Sequence, residues 1–96
     1  MSTVPDAATG ERIAAALVDE SLAACVQLLP GLLSHYRWEG KRERAEELLL
    51  LAKTVRGEAC LARLAELHPY DVPEALLIDA AATLPAYLRW AVEAGN

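Results

Sequence analysis

The spacing of apolar side chains changes repeatedly along this chain, and each change predicts a boundary between elements. Over residues 7–20, Ile13 and Leu17 lie four apart, and Ala14 and Val18 repeat the interval one position later. That spacing predicts a first helix over 7–20, capped by Asp6 and weakened slightly by Gly10. Residues 25–29 are apolar except for Gln27 and predict a buried strand, which Pro30-Gly31 breaks or kinks. Over 33–38 the pattern alternates. Ser34, Tyr36 and Trp38 point one way and His35 and Arg37 the other, which is strand periodicity. Glu39-Gly40-Lys41 then makes a turn.

Residues 42–54 contain almost only strong helix formers, so propensity alone predicts a helix. Pairing with the preceding strand would instead make them the second arm of a hairpin, and tertiary context can override propensity. Residues 57–67 predict a second helix, with Leu61, Leu64, Ala65 and His68 on one stripe. A short apolar strand is expected over 75–78. A third helix is expected over 84–94, with Pro85 in its first turn and Gly95 just past its end. Tyr87 and Trp90 are i, i+3 neighbours on it, and Leu84, Leu88 and Ala91 form another stripe. With a first strand confined to residues 1–4, the order is strand–helix–strand–strand–helix–strand–helix. This is an α+β chain, a ferredoxin-like split βαβ sandwich with an added C-terminal helix. Its sheet carries helices on one face. The other face and the open edges call for a partner.

Composition bounds the picture further. Ninety-six residues make a single domain, 1–96, with a modest core. Hydrophobic residues make up 54% of the chain, above the usual share of about 45–50%, which suggests apolar surface in a subunit interface. A formal charge of −5 argues against general nucleic-acid binding and against anionic membranes. No apolar run approaches the ~20 residues of a membrane-spanning helix, and the first residues lack the pattern of a signal peptide. A cytoplasmic location is the resulting expectation. Cys25 and Cys60 match no Cys-x-x-Cys spacing and read as small buried hydrophobes in a reducing compartment. No Ser-His-Asp set, phosphate-cradling glycine loop or His-Glu-x-x-His run is present, so no enzyme is expected.

The densest chemistry lies in His68-Pro69-Tyr70-Asp71-Val72-Pro73-Glu74, where two prolines bracket a phenol and a carboxylate. The prolines end the preceding helix and launch an extended segment. Three further segments stand in order before it: Thr3-Val4-Pro5-Asp6, Leu22-Ala23-Ala24-Cys25-Val26 leading to Pro30-Gly31, and Ser34-His35-Tyr36-Arg37-Trp38-Glu39-Gly40-Lys41. A fourth is Leu50-Leu51-Ala52-Lys53-Thr54. Together they resemble the CutA family of divalent-cation tolerance proteins over essentially the whole chain.

The resemblance implies a tight homotrimer with long strands pairing across subunits, similar in build to PII-type signalling proteins. It makes 42–54 the second arm of a long hairpin between the second and third strands. It implies linkage to copper or another divalent cation and no established reaction. Members credited with copper binding carry a first-strand Cys where this chain has Ser2. They also carry a His pair where it has Leu67-His68. The first strand is shorter than is usual in the family, spanning roughly 10–14 Å, so a truncated or reassigned start is expected.

His68 is the candidate metal ligand; its structural alternative is an imidazole at a helix end. Tyr36, Trp38, Glu39, Lys53, Tyr70, Asp71 and Glu74 are the candidate walls of an inter-subunit cleft for a metal or small ligand. Tyr36, Trp38 and Tyr70 could equally be packing residues. Lys53 ends an apolar run and requires a counter-charge from Glu39, Glu74 or another subunit, unless it binds an anion. Glu46 and Glu47, with Lys41, Arg42 and Arg44, read as charges near the hairpin tip that are solvated or form inter-subunit salt bridges. The leading functional expectation is a non-enzymatic cation-tolerance trimer. The alternative is a ligand-binding or protein-interaction signalling trimer without metal.

Overall fold

A computed structural model describes residues 1–94. The elements are β1 (Ser2–Val4), α1 (Ala7–Asp19), β2 (Cys25–Trp38), β3 (Lys41–Lys53), α2 (Gly57–Leu67) and α3 (Pro85–Ala94). Gly95, expected to follow the last helix, lies outside the described residues.

The three strands form an antiparallel sheet in the order β1-β3-β2. Ala75 bridges to Ser2 on the outer side of β1, and the Leu76 N–H donates to the Met1 carbonyl at 2.9 Å. The expected strand over 75–78 is thus reduced to this one bridge, because β1 offers only three residues to pair against. With the bridge counted, β1 is internal. Each half of the chain is then a strand–helix–strand unit split by a strand of the other half, the ferredoxin-like arrangement.

The residues at 42–54 that favour helix on propensity form a strand as far as Lys53, with Thr54 just past its end. Their even positions make the core: Leu50 is buried, with Leu48 and Ala52 packed beside it. Directly opposite on β2 lie Leu28 and Val26. Against this face stands α1 through Gly10, Ile13 and Leu17, all buried, whereas Val18 faces solvent. Each such fully buried Leu or Ile contributes about 1.5–3 kcal/mol. Gly10 is what lets the helix approach. A Cβ there would lie 3.0 Å from Leu28 Cδ2 and 3.1 Å from Val4 Cγ2. Asp6 caps α1 as expected, its Oδ1 accepting from the Thr9 N–H at 2.7 Å. On α2 the buried residues are Cys60 and Leu64, with His68 just past the end, so the stripe lies one position before the predicted Leu61 and Ala65.

Pro30-Gly31 does not break β2. Leu29 pairs with Leu49 but Leu32 pairs with Glu47, so three steps on β2 oppose two on β3. This is a β-bulge, and Gly31 supplies its positive φ of 87°. The extra residue inverts the facing of everything beyond it. Before the bulge the odd residues of β2 share a face with Leu49; after it the even ones share a face with Glu47. The hairpin closes through Glu39 and Gly40 at φ 50° and 78°, a two-residue turn whose twist matches the strands.

The fold leaves much apolar surface uncovered. On α3 only Ala91 is buried, while Leu88, Trp90 and Val92 are exposed, as is Leu84 just before it. Exposed surface totals 6446 Å², against about 5,400 Å² for a monomer of this mass.

Candidate functional site

The segment after α2 is fastened along β1. His68 is 7% exposed. Its Nδ1 accepts from the Tyr70 N–H at 3.2 Å, which leaves Nε2 to carry the proton and donate to the Thr3 carbonyl at 2.7 Å. The Ser2 hydroxyl, fully buried, donates to the Glu74 carbonyl at 2.6 Å. These bonds, with the Ala75 bridge, set the chain from His68 to Glu74 beside the odd face of the sheet.

Tyr70 is thereby brought over Glu47, and its hydroxyl donates to Glu47 Oε2 at 3.0 Å. Burial, then the bond to Glu47 and its negative charge, push the Tyr70 phenol up to about 12. Glu47 is 7% exposed and forms the floor of a cavity of about 360 Å³. The aromatic walls are Tyr36, Trp38 and Tyr70, and Asp71 and Glu74 stand at its edge. Thr3 and Val72 complete the lining.

Five of the seven residues expected in the cleft therefore meet within one chain: Tyr36, Trp38, Tyr70, Asp71 and Glu74. Glu39 and Lys53 do not join them. Glu39 occupies the hairpin turn. Lys53 lies at the opposite end of β3, six residues from Glu47, or roughly 20 Å along the strand. Its Nζ donates to Gln27 Oε1 rather than pairing with Glu39 or Glu74, because Gln27 shares its face two positions along the neighbouring strand. Lys53 instead borders a second, mostly apolar cavity of about 650 Å³ between the end of β3, α2 and α3.

Glu47, expected among charges that are solvated or in inter-subunit salt bridges, is not solvated: it is buried within the chain. The strand itself carried the signal. Counted back from Leu51 and Leu49, position 47 falls on the same face, next to the sheet's body and far from the turn.

The residues present do not fit a copper site at His68. In the tautomer fixed by its two hydrogen bonds the ring has no free lone pair, and a metal would have to displace the Tyr70 N–H. Ser2 offers a hydroxyl in place of a thiolate, already committed to Glu74, and Leu67 offers no donor. Cys60 is buried with its thiol pushed up by desolvation, as expected of an inert core cysteine.

A profile of the family described as CutA1 divalent ion tolerance protein matches residues 1–94. The chain is 44% identical over 92 residues to the divalent-cation tolerance protein CutA of Pectobacterium atrosepticum, covering 94% of this chain and 84% of that one. The crystal structure of CutA from Xylella fastidiosa superposes with a TM-score of 0.93 at 44% identity, covering 99% of this chain and 93% of that one. The periplasmic divalent cation tolerance protein CutA from Archaeoglobus fulgidus superposes with a TM-score of 0.92 at 30% identity, covering 99% and 94%. The profile match over residues 1–94 and these relatives show the same thing: the chain belongs to the CutA1 divalent ion tolerance protein family.

Proposed function

We propose that the chain acts as a non-enzymatic, self-assembling subunit whose part in divalent-cation tolerance runs through ligand binding at the Tyr36–Trp38–Tyr70 cavity, and not through copper held by His68. Assembly is the first half of this reading, and a homotrimer is its expected form. The observation that carries it is the excess of exposed surface, roughly 1,000 Å² above that of a monomer of this mass. This is about what one partner contributes to a stable interface. Its radius of gyration, 14.2 Å, exceeds the roughly 12.5 Å of a compact chain of this length. The exposed face of α3 and Leu29, which is 60% exposed on the uncovered sheet face, are the surfaces that assembly would bury.

Ligand binding is the second half. A cavity with a buried carboxylate floor and aromatic walls resembles a small-molecule site more than packing. The two free thiols, Cys25 and Cys60, favour a reducing compartment and hence the cytoplasm. Light scattering on the purified chain tests the assembly. The expected mass is about 31 kDa, three times the 10.4 kDa chain. A mass of one chain at micromolar concentration would end this reading.

A further inference from the structure

We propose that the cavity floored by Glu47 binds a small organic ammonium ion. This deepens, and rests on, the reading of that cavity as a ligand site. Glu47 is 7% exposed. Charges so deeply buried are ordinarily paired. Yet among the described residues its hydrogen-bond partner is the Tyr70 hydroxyl on Oε2, and the ion pairs join only Arg63 to Glu20 and Glu66. Glu47 lines the cavity, and among the described residues no ion pair neutralises its carboxylate.

The other charged and aromatic lining residues have the same preference. Asp71 and Glu74 add two negative charges at the edge. Tyr36 and Trp38 are each 46% exposed and Tyr70 37%, so all three rings leave surface open to an occupant. Aromatic faces attract cations, and an alkylammonium presents both a charge and an apolar body. A hydrated inorganic ion gains little from such walls, and an anion is repelled by the three carboxylates. The volume of about 360 Å³ suits a molecule of several heavy atoms. The bulge at Gly31 is what places Tyr36 and Trp38 on the face of Glu47, so the arrangement depends on one inserted residue.

Calorimetric titration of the intact chain with n-butylammonium chloride tests the proposal, with butan-1-ol as the uncharged probe and magnesium chloride as the inorganic one. Saturable ammonium binding is expected, with no saturable binding of butan-1-ol. Glu47→Gln keeps an acceptor for Tyr70 and removes the charge, so it should weaken ammonium binding about tenfold or more. Trp38→Leu keeps apolar volume and removes the π face, and should weaken it several-fold. Ammonium binding that is absent, or unchanged in Glu47→Gln, overturns the proposal. So does Glu47-dependent binding of magnesium alone. Dissociation of the assembly by Glu47→Gln without ammonium binding also overturns it, because a neighbouring subunit's basic group would then be the missing partner. The lining described above lies within one chain, and light scattering run beside the titration separates loss of ammonium binding from loss of assembly. An assembled protein that binds some neutral or anionic ligand at this cavity refutes the ammonium and leaves the cleft reading standing.

Discussion

Replacing His68 distinguishes a fastening imidazole from a metal ligand. The ring is buried, and it joins Thr3 of β1 to the backbone of Tyr70 through one bond at each nitrogen. His68→Ala removes both bonds, each worth about 1 kcal/mol net, and strands a partly buried Tyr70 N–H. It also leaves a void where the imidazole packed. The combined loss should be about 2–4 kcal/mol, within the range of core substitutions that break a buried network. The assay is guanidinium unfolding at one fixed protein concentration in the presence of EDTA, since assembly makes midpoints concentration-dependent. Two partial replacements separate the bonds. His68→Gln can still donate to the Thr3 carbonyl, and His68→Asn can still accept from the Tyr70 N–H two residues on. Each should recover part of the loss. An unchanged midpoint in EDTA, with copper-dependent stabilisation lost, would refute the reasoning and restore the metal reading.

Three further outcomes follow from the geometry. Deleting Gly31 removes the inserted residue, so Tyr36 and Trp38 should turn away from Glu47 and the near-ultraviolet dichroism should change. Gly31→Ala keeps the facing and should cost only about 1–2 kcal/mol for a side chain at positive φ. Tyr70 should ionise at about 12 by absorbance titration, well above the ordinary phenol. Glu47→Gln should bring it down without restoring the ordinary value, because burial is the larger cause. A phenol held protonated in the fold stabilises below its unfolded pKa, so that contribution should vanish as pH rises from about 10 to 12. On the acid side, the Thr9 N–H lowers Asp6 and the Arg63 hydrogen bond lowers Glu20. Their stabilisation is present above about pH 4 and should be lost as pH falls below it. Asp6→Asn, which keeps the cap without the charge, should flatten that part of a pH series of denaturant midpoints.

Some of this molecule was legible in its residues because the signals were local. Asp6 three residues before the Thr9 N–H is a cap wherever a helix follows. Glu39-Gly40 makes a tight turn, and the prolines of 68–74 end α2 where they stand. The aromatic pair Tyr36 and Trp38 was readable as one face from alternation alone. Resemblance, and not propensity, identified 42–54 as a strand, which the structure places at Lys41–Lys53. Its Leu, Glu, Arg and Lys favour a helix in isolation, and only pairing with β1 and β2 on either side makes the extended form win.

Tertiary structure decided the rest, and for a common reason: register is a relation between strands. A single inserted residue at Pro30-Gly31 fixes which side of the sheet Tyr36 and Trp38 occupy, and pattern on one strand cannot reveal its facing on another. The burial of Glu47 depends on a loop joined to β1 through His68 and Ser2, residues distant from it in sequence. Lys53 was chemically conspicuous, yet the length of β3 carries it to the far end of the sheet, where Gln27 occupies it. The sequence by itself determined the three helices, the hairpin turn and the shared face of Tyr36 and Trp38. Pairing, bulge and anchoring decided which charge lies behind those rings, because only a folded backbone can bring an isolated carboxylate and three aromatic rings around one cavity.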